Sequence, residues 1–209
     1  MASTFITRTP SSNGATTKAT WSIWVKRGKT DASEQLYFAS SDSNNKMIFR
    51  FNSDATIDVR NKVSGSFPLD IETNRKFRDP SAWYHIVVAI DTTQATSSDR
   101  FKMYVNGVQE TSFSTETYPS QNTDLTFSNT DDQMWIGAES GTGDYFSGSL
   151  AHFHYTDGYT YAATDFGETD STSGIWKPKA SPTGISYGTN GFFLKFENSG
   201  NLDLDSSGN

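Results

Sequence analysis

Apolar and polar residues alternate along much of the chain with a period of two, the spacing that places side chains on opposite faces of a β-strand. In residues 20–27 this pattern puts Trp21, Ile23 and Val25 on one face. Further segments with strand character are 35–41, 46–52, 55–61, 133–139, 144–158 and 191–198. The short turn between two of them, at 53–54, predicts a hairpin.

Two neighbouring segments carry the strongest signals. Residues 82–91 are largely apolar on both faces, which predicts a strand covered on both sides. After a polar loop, residues 100–110 alternate cleanly and contain Asn106-Gly107. This dipeptide favours a tight hairpin turn, because both residues readily take positive φ. Helical periodicity is restricted to 159–168, where we expect a single turn ending near Gly167.

Ten or more short strands separated by turn residues predict an all-β protein, a two-sheet antiparallel β-sandwich with jelly-roll topology. The chain has 209 residues, a length that suits one large β domain. We expect a single domain over 1–198 and a polar C-terminal tail at 199–209. The segment after residue 168 is rich in Gly, Ser and Pro. We interpret it as an ordered excursion that returns one strand to the sheet.

Charge and composition narrow the classes of function. The formal net charge is −7, and no cluster of Lys or Arg is present. Binding to nucleic acid needs a basic footprint that neutralises phosphates, so neither nucleic acid nor an anionic membrane is an expected partner. The chain has no cysteine, which excludes disulfides and thiolate metal sites. The N-terminus lacks an apolar run of signal-peptide length, so we expect synthesis in a cytoplasm without ordinary export.

Two groups of residues resemble a known superfamily. The first runs from Trp83 through the apolar strand to Asp91, and continues after the polar loop into Y-V-N-G at 104–107. The second is W-I-G at 135–137 followed by F-S-G-S-L-A at 146–151. Both resemble the laminin-G/pentraxin-like part of the concanavalin A-like lectin/glucanase superfamily. The resemblance implies a jelly-roll sandwich in which the two strands around the polar loop are neighbours.

A narrower resemblance covers almost the whole chain. It is carried by W-S-I-W-V-K-R-G at 21–28, W-K-P-K at 176–179, Y-G-T-N-G at 187–191 and D-S-S-G-N at 205–209. These segments are similar to jelly-roll proteins encoded by bacteriophages, especially marine ones. The resemblance implies a virion protein, a capsid decoration or a component of a fibre or appendage. The implied partners are other virion proteins and host or environmental glycans. Virion proteins commonly follow point symmetry, which permits a homotrimer that nothing in the sequence fixes.

The glucanase branch makes an enzyme the first alternative to test. Retaining glycosidases need two carboxyl groups about 5 Å apart, and glucanase members supply them from an E-x-D-x-x-E or E-x-D-x-E strand. The nearest match is P-L-D-I-E at 68–72, where Asp70 and Glu72 share a face but Pro68 replaces the leading Glu. Neither G-x-S-x-G nor H-E-x-x-H occurs. We therefore expect no catalytic residues, and interpret Asp70 and Glu72 as part of a solvated strand face.

Histidines and acidic loops are the candidates for metal binding. His152 and His154 are two residues apart on one predicted strand, a spacing that can bind a metal but more often marks a polar outer face. His85 lies in an apolar strand and is interpreted as a core histidine. No cofactor follows from the residues alone. The superfamily resemblance implies calcium, which prefers oxygen ligands on rim loops. The candidate calcium ligands are Asp91, Asp99, Asp131, Asp132 and Asp144.

Aromatic residues outside the predicted strands are the candidates for sugar binding, because they can stack on the apolar face of a pyranose ring while most strand aromatics fill the core. The candidates are Tyr118, Tyr145, Tyr159, Tyr161 and Trp176. Three functions remain open on these grounds. The first is a non-enzymatic virion component, the second a carbohydrate-binding lectin unattached to any particle, and the third a polysaccharide hydrolase.

Overall fold

A computed structural model describes residues 4–141, 143–180 and 182–208 of the chain. The ends of the predicted domain and tail at 1–3 and 209 lie outside the described residues. The strands are β1 Ile6–Arg8, β2 Lys18–Arg27, β3 Glu34–Ser40, β4 Lys46–Phe51, β5 Ile57–Val63, β6 Ser66–Thr73, β7 Tyr84–Asp91, β8 Phe101–Val105, β9 Val108–Glu110, β10 Phe113–Thr117, β11 Gln133–Ile136, β12 Gly148–Asp157, β13 Gly167–Thr169, β14 Trp176–Pro178 and β15 Phe192–Leu194. One α-helical turn, α1, spans Ala163–Phe166, where the sequence predicts it, and a 3-10 turn that the sequence does not predict spans Ser97–Asp99.

Two large antiparallel sheets pack face to face and confirm the predicted sandwich. The seven-stranded sheet has the order β1-β11-β3-β4-β5-β6-β10, and the six-stranded sheet has the order β15-β12-β2-β7-β8-β9. The predicted hairpin of β4 and β5 is present, and β7 and β8 are neighbours. The excursion after residue 168 forms the β13–β14 hairpin and returns β15 to the six-stranded sheet.

The core lies between the two sheets and follows the alternation of the sequence. Trp21, Ile23 and Val25 of β2 are fully buried in it, as predicted. The ring of Trp21 lies 5.3 Å from that of Tyr155 and 5.5 Å from that of Phe127, measured between centroids. Large aromatic side chains therefore supply much of the buried apolar area that stabilises the fold.

The Asn106-Gly107 turn has the geometry that its sequence predicts. The φ angles of Asn106 and Gly107 are 50° and 81°, and the turn joins β8 to β9. The Asn106 side chain also accepts a 2.7 Å hydrogen bond from the backbone N–H of His85. This bond ties the turn to the neighbouring strand β7.

A buried ion pair joins the end of β2 to the start of β3. Arg27 and Glu34 lie 3.1 Å apart, and both side chains are fully inaccessible to solvent. The guanidinium also donates to the carbonyl oxygen of Phe77 at 3.1 Å and lies 4.3 Å from the centre of the Phe51 ring. Since a buried charge is costly unless it is paired and hydrogen-bonded, each partner depends on the other.

The chain from α1 to β14 covers the outer face of the six-stranded sheet, so β7 is buried on both sides, as predicted. Ala163 and Phe166 of α1 pack against Val87. The indole N–H of Trp176 donates a 2.9 Å hydrogen bond to Nδ1 of His85. Nε2 of His85 therefore carries the proton and donates to the Ser22 hydroxyl at 2.9 Å. His85 is thus a hydrogen-bonded, buried histidine, which confirms its interpretation.

The neutral state of His85 makes the fold sensitive to acid. Burial lowers the pKa of His85 from 6.5 to about 3. Between these values the unfolded chain binds a proton at His85 that the folded chain does not, so the stability that neutral His85 contributes is complete above pH 6.5 and falls as the pH drops toward 3. We expect His85 to contribute a loss of about 1.4 kcal/mol per pH unit in this window.

Urea unfolding of the wild type and of His85→Gln at pH 7, 6, 5 and 4 measures this contribution. The variant should lose less stability than the wild type between pH 6 and pH 4. The difference isolates His85, because other groups titrate in both proteins. Among them is Asp58, whose pKa burial raises to about 6. Parallel pH profiles for the two proteins would contradict the expectation.

The segment after residue 198 turns back onto the six-stranded sheet. Asp205 forms an isolated β-bridge with Leu194, and its carboxylate accepts a 2.9 Å hydrogen bond from the N–H of Phe193. Most residues from 199 to 208 are exposed. The boundary at residue 198 stays a prediction. Among the described residues, no helix is long and apolar enough to cross a membrane.

Candidate functional site

A groove of about 400 Å³ lies at one end of the outer face of the seven-stranded sheet. It is formed by residues of β3, β4 and β11, by the turn between β3 and β4, and by the loops on either side of β11. We call it the Trp135 groove. Its lining comprises Phe38, Lys46, Asp131, Gln133, Trp135, Glu139, Ser140 and the turn at 40–43.

The floor of the Trp135 groove is aromatic. Strand β11 directs Met134 and Ile136 into the core, so Gln133 and Trp135 face outward because side chains alternate along a strand. Trp135 lies opposite Phe38 in the register of β11 and β3. The two ring centroids are 5.5 Å apart. The floor is therefore preformed by packing within the sheet, which leaves Trp135 9% and Phe38 3% exposed, so only a small part of either ring reaches the groove.

One wall of the groove is a turn fixed by its own hydrogen bonds. The carboxylate of Asp42 accepts the backbone N–H groups of Asn44 at 2.6 Å and Asn45 at 2.8 Å. The bond from Asn44 is the largest effect that lowers the pKa of Asp42. The carboxylate of Asp42 thus serves the turn and keeps it in place beside the groove.

Four charged or amide side chains of the groove are not used by the described part of the fold. The side chains of Lys46, Asp131, Gln133 and Glu139 make no hydrogen bond or ion pair with any residue in the described ranges. They surround an apolar ring surface with one ammonium group, two carboxylates and one amide. An apolar floor with a few polar groups at its edge is the usual design of a site for a small ligand, and it suits a polyhydroxylated one.

The five aromatic candidates for sugar binding lie outside this groove. Tyr159 and Tyr161 are brought together, with ring centroids 6.5 Å apart and nearly parallel planes. Tyr145 stacks on Phe5 at 6.3 Å, and Tyr118 packs against the main core, where burial raises its pKa. Trp176 is hydrogen-bonded to His85, and its ring lies over the six-stranded sheet.

The five acidic candidates for calcium binding do not converge either. Asp91, Asp99 and Asp144 pair with Lys18 at 3.2 Å, Lys102 at 3.3 Å and Arg50 at 3.5 Å. Asp132 is buried, and its carboxylate accepts the N–H of Asn129 at 2.8 Å. Asp131 alone lines the Trp135 groove. Within the described ranges no three His, Asp or Glu side chains form a group that could hold a metal ion. Calcium binding stays a prediction.

A second, smaller pocket brings some of the candidates together. Asp91, Asp99 and Tyr161 line a space of about 220 Å³ on the side of the six-stranded sheet. Its polar groups are already engaged, because the Asp91 carboxylate also accepts the N–H and the hydroxyl of Thr93. The hydroxyl of Tyr161 likewise accepts the backbone N–H of Ser186. This pocket offers a ligand fewer free partners than the Trp135 groove does.

The carboxylates considered for catalysis are held by neighbouring side chains. Asp70 forms a 3.1 Å ion pair with Arg60, and Glu72 accepts a 2.8 Å hydrogen bond from the Thr56 hydroxyl. The spacing of His152 and His154 does not by itself place them on one face, because a register irregularity interrupts β12 between Ala151 and His154. The Nδ1 atom of His154 lies 2.8 Å from the Tyr187 hydroxyl.

Sequence reasoning missed most of the groove. The signal for Gln133 and Trp135 is present in the alternation of β11, which leaves these two side chains on the face away from the core. What the sequence does not show is that β11 pairs with β3, whose residues lie 93 to 99 positions earlier in the chain. This pairing places Trp135 against Phe38 and creates the floor.

Two antiparallel sheets that pack face to face in this strand order form a jelly-roll β-sandwich. A laminin-G model of the concanavalin A-like lectin/glucanases superfamily matches residues 3–163. The chain belongs to this superfamily, as its sequence resemblance implied. No curated protein matches the sequence significantly.

Solved structures share the fold at low identity. Domain 4 of a GH43 extracellular arabinanase from Geobacillus stearothermophilus, solved with arabinotriose, has a TM-score of 0.51 and 17% identity, covering 70% of this chain and 64% of that domain. Tailspike protein 2 from an Escherichia coli O157:H7 bacteriophage has a TM-score of 0.51 and 11% identity, covering 77% of this chain. This chain spans only 22% of the tailspike.

Proposed function

We propose that this protein is a non-enzymatic, glycan-binding component of a bacteriophage virion, acting as a capsid decoration or as part of a fibre or appendage. The Trp135 groove is the observation that carries the glycan-binding part. The side chains of Lys46, Asp131, Gln133 and Glu139 can bond to sugar hydroxyl groups, and the exposed part of Trp135, 9% of the residue, adds an apolar contact. The arabinotriose found with the arabinanase domain makes an oligosaccharide a reasonable first ligand to test.

For the strand segment nearest to the glucanase motif, the proposal of a non-enzymatic protein is supported by how its carboxylates are held. Asp58, next to Asp70 and Glu72 across the strands, is inaccessible to solvent and paired with Arg50 at 3.2 Å and Arg60 at 2.8 Å. A general acid must reach the bond that it protonates. None of these three carboxyl groups lines the Trp135 groove, where we place the ligand.

The virion part of the proposal rests on the sequence resemblance at 176–179 and 187–191. Mass spectrometry of purified particles of a phage that encodes this chain, with the peptides of this chain quantified against the major capsid protein, tests it directly. A fixed number of copies per particle supports the proposal. Recovery only in the fraction free of particles would favour the alternative, a lectin that is not attached to a virion.

We expect Trp135→Ala to weaken glycan binding several-fold, because it removes the packed floor that positions the groove side chains. Trp135 is 9% exposed and packs on Phe38, so circular dichroism first establishes that the variant is folded. A glycan array followed by titration of the best ligand measures the change. Trp24→Ala is the matched control, because Trp24 is 8% exposed and lies outside the groove. Equal losses in the two variants would contradict the assignment of the site.

The same array repeated with EDTA tests the calcium prediction, since a calcium-dependent lectin would lose binding. Gln133→Ala provides a second probe of the groove, because this exposed side chain can be shortened without disturbing the packing of Trp135 on Phe38. A folded protein that binds no glycan on the array would overturn the glycan-binding proposal.

A further inference from the structure

We propose that acid releases the segment that lies over the six-stranded sheet, because the one hydrogen bond that attaches this segment to the sheet ends on the imidazole of His85. We call the segment, residues 163–179 with α1, β13 and β14, the cover. The proposal does not depend on glycan binding, since the cover and the Trp135 groove lie on the outer faces of different sheets. It adds a conformational change to the fold.

The backbone of the cover bonds to itself rather than to the sandwich. Strands β13 and β14 form a separate two-stranded sheet, and the N–H of Lys179 donates to the carbonyl oxygen of Phe166 at 2.9 Å. Lys177 and Asp170 form an ion pair at 2.8 Å within the same hairpin. This pair holds the pKa of Asp170 well below its usual range, so mild acid does not act through it.

Apolar contacts and one hydrogen bond attach the cover to the sheet. Ala163 and Phe166 pack on Val87. Among the described residues, the single hydrogen bond from the cover to the six-stranded sheet joins the indole N–H of Trp176 to Nδ1 of His85, at 2.9 Å. The attachment therefore requires Nδ1 to remain an acceptor.

Protonation of His85 turns this acceptor into a donor. Nε2 already carries a proton that it donates to the Ser22 hydroxyl at 2.9 Å, so the added proton goes to Nδ1. Two N–H groups then face each other, and a buried donor without an acceptor is costly. The Trp24 ring, stacked on His85 at 4.9 Å, attracts the imidazolium but offers Nδ1 no acceptor. Departure of Trp176 opens Nδ1 to water and removes the conflict.

No group around His85 compensates for a positive charge in the closed state. Burial lowers the pKa of His85 to about 3, and the charge of His152 lowers it further. Strand β2 presents the neutral Ser22 and Trp24. The charged side chains of the cover that pair with one another are Glu168, Asp170 and Lys177.

A second histidine lies under the cover. The ring of His154 is 4.9 Å from that of Phe166, measured between centroids, and burial lowers the pKa of His154 as well. Its polar partner differs from that of His85, because the Tyr187 hydroxyl, 2.8 Å from Nδ1, can accept a hydrogen bond as well as donate one. His85 is therefore the histidine whose protonation directly opposes the attachment.

The expected size of the effect follows from the two states of His85. In the closed state it stays neutral down to about pH 3, whereas in the open state it titrates near its ordinary pKa of 6.5. Between these values opening takes up one proton, so the opening constant rises about tenfold for each unit that the pH falls. The rise from pH 6.5 to pH 4.5 is about 100-fold, and His154 adds to it where the loss of Phe166 exposes its ring.

Hydrogen exchange followed by mass spectrometry at pH 6.5 and pH 4.5 measures the opening, once each rate is divided by the intrinsic rate at the same pH. A lone hairpin is marginally stable at best, so its amides exchange when the cover leaves the sheet. We expect the protection of peptides within 163–179 to fall about 100-fold on acidification. Peptides from β2 and β7 should keep most of their protection.

Three variants test the hydrogen bond. His85→Gln keeps an acceptor and a donor but does not titrate, so most of the change between the two pH values should disappear. Trp176→Phe keeps a ring and removes the N–H, so protection of the cover should already fall several-fold at pH 6.5. His152→Gln is the matched control, because the Nδ1 atom of His152 has no hydrogen-bond partner among the described residues, and this variant should respond to acid as the wild type does.

The proposal fails if the cover keeps its protection at pH 4.5, or if β2 and β7 lose protection together with it, since acid would then unfold the whole sandwich. An unchanged acid response in a folded His85→Gln variant would assign the effect to another group. If that variant does not fold, the comparison of cover and sheet in the wild type and the result for Trp176→Phe still decide the question.

Discussion

Replacing Arg27 by methionine should lower the free energy of unfolding by about 3–5 kcal/mol, because it leaves a buried carboxylate without its charge partner. Glu34 is fully inaccessible to solvent, and its other oxygen accepts the N–H of Ser147 at 2.8 Å. Burial already raises the pKa of Glu34 in the presence of Arg27. Without the guanidinium, the carboxyl group must become protonated or draw water into the core.

Urea unfolding at pH 7 measures the loss, and two further variants explain its source. The double variant Arg27→Met with Glu34→Gln should recover part of the stability, because the uncompensated charge is gone. Lys76→Met removes an ion pair in which both partners are substantially exposed, with Asp54 at 2.8 Å, and should cost less than about 1 kcal/mol. Similar losses for Arg27→Met and Lys76→Met would show that burial does not govern the Arg27–Glu34 pair.

Trp21→Ala should cost about 3–5 kcal/mol, the usual range for truncating a buried aromatic side chain. Trp21 is fully buried, and its ring contacts Tyr37, Phe127 and Tyr155, which belong to other strands and loops of the sandwich. Removal of the ring opens a cavity that three rigid aromatic neighbours fill poorly. Against a typical total stability of 5–15 kcal/mol, this loss leaves little margin.

Thermal and urea unfolding, followed by circular dichroism, measure the effect. Trp21→Phe should lose much less stability than Trp21→Ala, because most of the apolar ring is retained. Trp83→Ala serves as the surface control, and its effect should be small because Trp83 is 42% exposed. A cost for Trp21→Ala no larger than that for Trp83→Ala would mean that the core is not organised around Trp21.

Much of the fold could be predicted because one physical pattern determines it. Alternation identifies the inward faces of β2 and β8. The dipeptide Asn106-Gly107 identifies a turn because both residues readily take positive φ. The Arg27–Glu34 pair could not be predicted, since charged residues seven positions apart carry no periodic signal for burial. The short strands β1, β9 and β10 are defined by their partners in the sheet rather than by their own sequence.

The candidate site was harder to predict than the fold, because its parts come from distant segments. Asp131 was identified as an acidic loop residue, but the aromatic floor depends on the pairing of β11 with β3. From sequence alone, Trp176 is a loop aromatic that is available to a sugar. In the structure its N–H is bonded to His85, ninety-one residues away. An exposed-looking aromatic in sequence therefore acts as a structural contact once the chain folds.

The position of Trp176 also limits how this sequence can evolve. A Cβ atom on Gly107 would lie 2.7 Å from the indole ring, and one on Gly167 would lie 2.5 Å from it. Gly107 must also remain glycine because its φ angle is 81°, a conformation that other residues rarely adopt. At Gly167 the nearest atoms to an added Cβ are those of the Trp176 ring. A larger residue at 167 is therefore tolerated only after Trp176 has become smaller. The two positions are epistatic, and the order of substitutions decides which mutational routes remain open.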